Sequence, residues 1–142
     1  MKILVCTDGS EHSQRAVKEA AKIAANLKHV ELYIINVCET VESSVFDYDK
    51  ALMRAEEAKI TERAKLILRE AEKVFEGCNI NPKIILKRGL PGLEIIKEVY
   101  AGNFDLVILG TRKIGGFKKL FLGSVCNAVV QKVNTNVMIV TH

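Results

Sequence analysis

A chain of 142 residues, 49% hydrophobic and 27% charged, has the length of one domain and the composition of an ordinary globular protein with enough apolar surface for a core. Its net charge of +4 is mild, and without a zinc-finger, helix-turn-helix or RNA-binding pattern it gives no reason to expect nucleic acid. No apolar run reaches membrane-spanning length, and Cys6, Cys38, Cys78 and Cys126 lie far apart with no CxxC pair, which argues against a metal or disulfide framework.

The opening Met1-Lys2-Ile3-Leu4-Val5-Cys6-Thr7-Asp8 is too short and too soon acidic for a signal peptide. It reads as a first strand, about residues 2–7, of a cytoplasmic protein. Thr7-Asp8-Gly9-Ser10 then turns into a helix capped by Ser10, with Ala16, Ala20, Ile23, Ala24 and Leu27 on one face. A second strand is expected near residues 30–38, and residues 39–48 follow as a loop without clean periodicity. A long helix, roughly 49–76, carries Ile60, Ala64, Ile67, Leu68, Ala71 and Phe75 as its stripe and stops at Gly77. The third strand, about 80–88, contains Pro82, which cannot donate to a ladder and so suggests a sheet edge. Pro91 opens a third helix that runs to about Ala101, and Gly102-Asn103 ends it. Phe104-Asp105-Leu106-Val107-Ile108-Leu109 reads as a strand covered on both faces. A fourth helix over about 124–133 keeps Val125, Val129 and Val133 inward, and residues 137–141 form the last strand. Strands alternating with helices from end to end predict a single doubly wound α/β domain with a parallel sheet.

The segment Gly110 to Ser124, GTRKIGGFKKLFLGS, links the fourth strand to the fourth helix and holds Arg112, Lys113, Lys118 and Lys119 with no acid among them. Gly110 is expected to let a ligand approach the backbone and to permit a positive φ. Ser124 is expected as the N-cap, with the free N–H groups of Val125 and Cys126 behind it aimed at an anion. Several known phosphate motifs fail. Gly110 and Gly115 have Walker A spacing, but Gly116-Phe117 stands where Lys and Ser/Thr belong. No GxGxxG follows the first strand, and Lys87-Arg88-Gly89 replaces the aspartate a receiver domain would need. Thr7-Asp8-Gly9-Ser10 is likewise a poor match to a Ser-Gly-Gly pyrophosphatase loop. His12, His29 and His142 read as surface residues.

The opening ILVCTDGSEHSQRAVKEA and the closing segment resemble the universal stress protein family, in particular its nucleotide-binding branch. In that family's G-x2-G-x9-G-[ST] signature, Gly110 takes the first glycine, Gly123 the third and Ser124 the hydroxyl position. The second glycine is Lys113 here, and neither Gly115 nor Gly116 restores the spacing. Asn136 stands where a proline is common before the last strand. The resemblance implies a five-stranded parallel sheet in the order 3-2-1-4-5 with helices on both faces. It also implies a nucleotide, ATP or alternatively ADP or AMP, lying across the carboxyl ends of strands one, two and four with Mg²⁺ held through the phosphates. Thr7 and Asp8 are then expected near the adenosine and Val37 against the adenine. Gly110, Thr111, Arg112 and Lys113 would lie along the phosphate path, and Gly123, Ser124 and Val125 would supply donors to the phosphates. The family also implies a homodimer through residues 137–141, whose outer edge no later element covers.

Asp8 suits either a turn or a ligand role, or both. Lys113 either occludes the pocket or folds back on a phosphate. Three functions stay open: a stress-response module that binds an adenine nucleotide and changes its protein partners, a slow ATPase with Asp8 as the one acid well placed, and a dimeric scaffold without nucleotide. No catalytic residue and no metal ligand is assigned.

Overall fold

Ile3, Leu4, Val5 and Cys6 are apolar in succession because the strand they form is covered on both faces and paired on both edges. The computed structural model describes residues 1–41, 49–112 and 122–141 and places this strand, β1 (Lys2–Cys6), at the centre of a five-stranded sheet. After β1 come α1 (Glu11–Ala25), β2 (Glu31–Cys38), α2 (Lys50–Lys73), β3 (Lys83–Arg88) and α3 (Pro91–Gly102). The chain ends with β4 (Leu106–Gly110), α4 (Ser124–Lys132) and β5 (Asn136–Val140). All four strand pairs are parallel and the order is β3-β2-β1-β4-β5, as expected from the sequence. The chain winds outward from β1 to β3 and then crosses back to β4. The connections leaving β1 and β4 therefore diverge, which opens a crevice at their carboxyl ends.

Alternation along the strands splits the core in two. Ile3, Val5, Ile34 and Ile108 face Ala16, Val17 and Ala20 of α1, with Leu68 and Ala71 of α2 and Phe75 beyond it. Leu4, Cys6, Ile35, Val107 and Leu109 face Ile95 and Val99 of α3 and Cys126 and Val129 of α4. Ile23 and Leu27 in the first layer, and Val125 and Val133 in the second, are half-buried at the margins of these layers.

The elements are mostly shorter than their apolar patterns. Thr7 falls just outside β1, although its N–H still donates to the Ile35 carbonyl at 2.9 Å. Helix α2 stops at Lys73, and the chain reverses through Gly77 (φ +84°) and Asn79 (φ +53°), while Phe75 stays buried in the turn. Pro82 precedes β3 instead of lying in it, so β3 is an edge by topology and not because of the proline. Strand β4 begins at Leu106, two residues after the apolar run does, and β5 covers Asn136–Val140 where 137–141 was expected. Among the described residues no helix is long and apolar enough to cross a membrane.

Candidate functional site

The β1–α1 turn is held by its own side chains. Ser10 is the N-cap of α1, its Oγ accepting from the Ser13 N–H at 3.3 Å, and the Ser13 hydroxyl donates to the Ser10 carbonyl at 2.9 Å. Asp8 Oδ1 accepts from the Ser10 N–H at 2.9 Å and from the Ser10 hydroxyl. Buried Thr7 pairs its hydroxyl with that of Ser13 at 3.1 Å, and its carbonyl accepts from Asn36 Nδ2 of β2 at 2.7 Å. Gly9 has φ +82°, and a Cβ there would lie 2.8 Å from Cγ1 of Ile67, so α2 closes directly on this turn.

Partial burial alone would raise the Asp8 carboxyl. Hydrogen bonds from the Ser10 side chain and backbone and from Ser13, with His12 nearby, outweigh it and hold the group below the usual carboxylate range. Burial, with Cys126 nearby, pushes the Cys6 thiol well above its ordinary value. Burial and the Asp8 charge also raise the Cys126 thiol. All four cysteines are free.

The β4–α4 side is built differently. Gly110 does not have a positive φ; among the described glycines only Gly9, Gly77 and Gly89 do. Its missing side chain makes room for the protein itself, since a Cβ there would sit 2.0 Å from the His12 carbonyl oxygen in the first turn of α1. Thr111 is buried, its N–H donating to the Val140 carbonyl at 3.0 Å, and Arg112 is exposed. The N-cap of α4 is Gly123, not the expected Ser124, which is the first helical residue and stays exposed. Among the described residues no side-chain hydrogen bond caps this helix start, so the N–H groups of its first turn have no side-chain acceptor there. A Cβ on Gly123 would meet no atom of a described residue within 4 Å, so packing among the described residues does not require the glycine.

These two starts border a single cleft of about 800 Å³. Thr7, Asp8, Val37, Gly110, Thr111, Arg112, Gly123, Ser124 and Val125 all line it, so the structure brings together nine of the ten residues expected at the site. Lys113, the tenth, lies outside the described residues, as do Lys118, Lys119 and most of the 39–48 loop. Sequence reasoning missed the far wall. Ile60, Arg63, Ala64 and Ile67 of α2 face the carboxyl end of β2, and their i, i+4, i+7 apolar spacing was assigned to the core. It also missed Asn36, which fastens β2 to β1, and His12, which was expected on the surface but lines the cleft with Nε2 3.0 Å from Ser10 Oγ. A polar residue inside the apolar run Ile34-Ile35-Asn36-Val37 was the available signal for Asn36.

The cleft thus has an apolar wall formed by Val37, Ile60, Ala64 and Ile67, with the start of α4 across β1 from it. Among the described residues no cluster of three His, Cys, Asp or Glu could hold a metal ion.

A profile of the universal stress protein family matches residues 1–141. A universal stress protein of Methanocaldococcus jannaschii is 30% identical over 98% of this chain and 93% of its own. The solved structure of that protein superposes with a TM-score of 0.81 at 29% identity, covering 99% of this chain and 95% of the other. A universal stress protein solved in complex with cAMP is 27% identical, with a TM-score of 0.70 over 99% of this chain and 96% of its own. One from Archaeoglobus fulgidus, solved with dAMP, shares the fold at 19% identity and a TM-score of 0.68, over 98% and 96% of the two chains.

Proposed function

The chain belongs to the universal stress protein family, and from that premise we propose that it is a regulatory module whose cleft holds an adenine nucleotide and whose association with protein partners follows nucleotide occupancy. The observation that carries this reading is the start of α4: a helix N-terminus that, among the described residues, has no side-chain cap and no atom near the place of a Gly123 Cβ, at the edge of a cleft with an apolar far wall. Phosphates would take the N–H groups of Val125 and Cys126, with Arg112 beside them, and the adenine would lie toward Val37. The relatives solved with cAMP and dAMP support an adenine nucleotide. ATP is the nucleotide proposed for this chain, with Mg²⁺ carried on its phosphates. Titration calorimetry tests it: heat with Mg-ATP and much less with GTP is the expected result. Silence with ATP, ADP and AMP at millimolar concentration would leave a scaffold without nucleotide.

Binding is favoured over hydrolysis by the state of Asp8. Its Oδ1 is engaged by Ser10, and a carboxyl held below its usual range is a weak base. Glu39 is a second acid on the cleft lining and is exposed to solvent.

The proposed assembly is a homodimer through β5. The two sheet edges differ: β3 carries Lys83, Lys87 and Arg88, which discourage further pairing, whereas Asn136-Val137-Met138-Ile139-Val140 carries no charge. Light scattering behind size-exclusion chromatography should give twice the 15.8 kDa chain mass. Ile139→Pro should shift the protein toward monomer or aggregate. A 15.8 kDa species for the unmodified chain would defeat the proposal. Four free cysteines suit a reducing compartment, and the cytoplasm is the proposed location.

A further inference from the structure

Helix α2 neutralises most of its lysines along its own surface. Lys59 pairs with Glu56 at 3.8 Å, Lys65 with Glu62 at 3.0 Å and Lys73 with Glu70 at 2.6 Å, and Arg88 of β3 reaches Glu57 at 4.0 Å. Arg63 is different. The positions three and four residues away on either side are Lys59, Ile60, Leu66 and Ile67, so the helix offers it no acid, and it makes no ion pair or hydrogen bond to any described residue. It is exposed, and it lines the cleft beside Ile60, Ala64 and Ile67.

Its place in the fold decides what it can meet. Helix α2 packs on β2 and β3, whereas the open start of α4 follows β4 on the other side of β1. A nucleotide with its phosphates at Gly123-Ser124 extends its base toward β2 and the α2 wall. Resting on the nucleotide reading above, we infer that Arg63 contacts the ligand through the base, its guanidinium laid over the outward purine face while its aliphatic stem continues the apolar wall of Ile60 and Ile67. A planar, weakly hydrated cation is suited to such stacking, and a lysine ammonium much less so. Arg112 would act at the opposite, phosphate end.

The two roles separate by how the loss depends on phosphate number. Binding of adenosine, AMP and ATP is measured by displacement of a fluorescent adenine nucleotide from the unmodified protein and from Arg63→Ala, Arg63→Lys and Arg69→Ala. Arg69 is an exposed arginine of the same helix outside the cleft lining. Arg63→Ala should weaken all three ligands by a common factor of about tenfold. Arg63→Lys should recover only part of that, and Arg69→Ala should leave binding unchanged. Unaltered affinity in Arg63→Ala, a loss that grows from adenosine to ATP, or full recovery by lysine would each overturn the inference. No uptake of the fluorescent nucleotide by the unmodified protein would defeat the nucleotide reading itself, and this inference with it, before any variant is compared.

Discussion

Two helices begin at the same cleft with nearly the same backbone and opposite chemistry. The N-cap of α1, Ser10, has φ −67° and ψ 158°, and that of α4, Gly123, has φ −55° and ψ 165°. At Ser10 a hydroxyl accepts from the first turn, Asp8 fixes that hydroxyl, and Thr7, Ser13 and Asn36 complete a web that joins β1, β2 and α1. At Gly123 no described side chain does any of this, although no described residue stands where a Cβ would go and a serine or aspartate cap is worth roughly a few tenths of a kcal/mol or more. The first start is complete without a ligand. The second has no side-chain cap among the described residues, and a bound anion would supply one. The glycines differ in the same way: a Cβ at Gly9 or Gly110 would strike a neighbour, whereas at Gly123 it would meet no described residue.

The sharpest way to break this contrast is at Gly110. A methyl group there would strike the His12 carbonyl, which is backbone and cannot swing away, so Gly110→Ala should lower unfolding stability by about 3 kcal/mol. Denaturant unfolding measures this, and a loss below about 1 kcal/mol would mean that α1 yields easily and that Gly110 is kept for another reason. At Gly9 the obstacle is the flexible end of Ile67, and the positive φ adds strain, so Gly9→Ala should cost about 1–2 kcal/mol in the same assay.

Asp8→Asn is the smaller and more diagnostic change. Because the folded protein holds this carboxyl below its ordinary value, the stabilisation it gives is complete above the unfolded pKa and is lost as pH falls through the folded one. The variant should melt at a lower temperature than the unmodified protein at pH 7, and the gap should close below about pH 4. A gap that is constant down to pH 3 would remove the carboxylate from the account of the turn.

The contrast also marks what the sequence could disclose. The strand runs, the Ser10 cap, the switch point and the strand order were legible because each rests on a local pattern or on the family resemblance, and residues 7–8, 37, 110–112 and 123–125 converge on one cleft. Legibility failed where one residue type answers two demands. Glycine at 110 suits a positive φ, a ligand's approach or a neighbouring helix, and only the packing of His12 distinguishes them. The i, i+4, i+7 stripe of α2 reads as core, yet Ile60, Ala64 and Ile67 line the cleft while Leu68 and Ala71 further along the helix sit in the core. Ser124 has the composition of a cap, but Gly123 occupies the cap position, and a one-residue offset at a helix end is not encoded by composition.

Calorimetric titration of Mg-ATP into the unmodified protein and into Gly123→Asp decides whether the start of α4 holds the phosphates. The aspartate would cap and complement the α4 start while filling the anion position with negative charge. The expected result is a thermal midpoint equal to or above that of the unmodified protein, together with an affinity for ATP at least about tenfold weaker. Equal ATP affinity in a variant that is as stable as the unmodified chain would show that the open helix start is not where the phosphates bind.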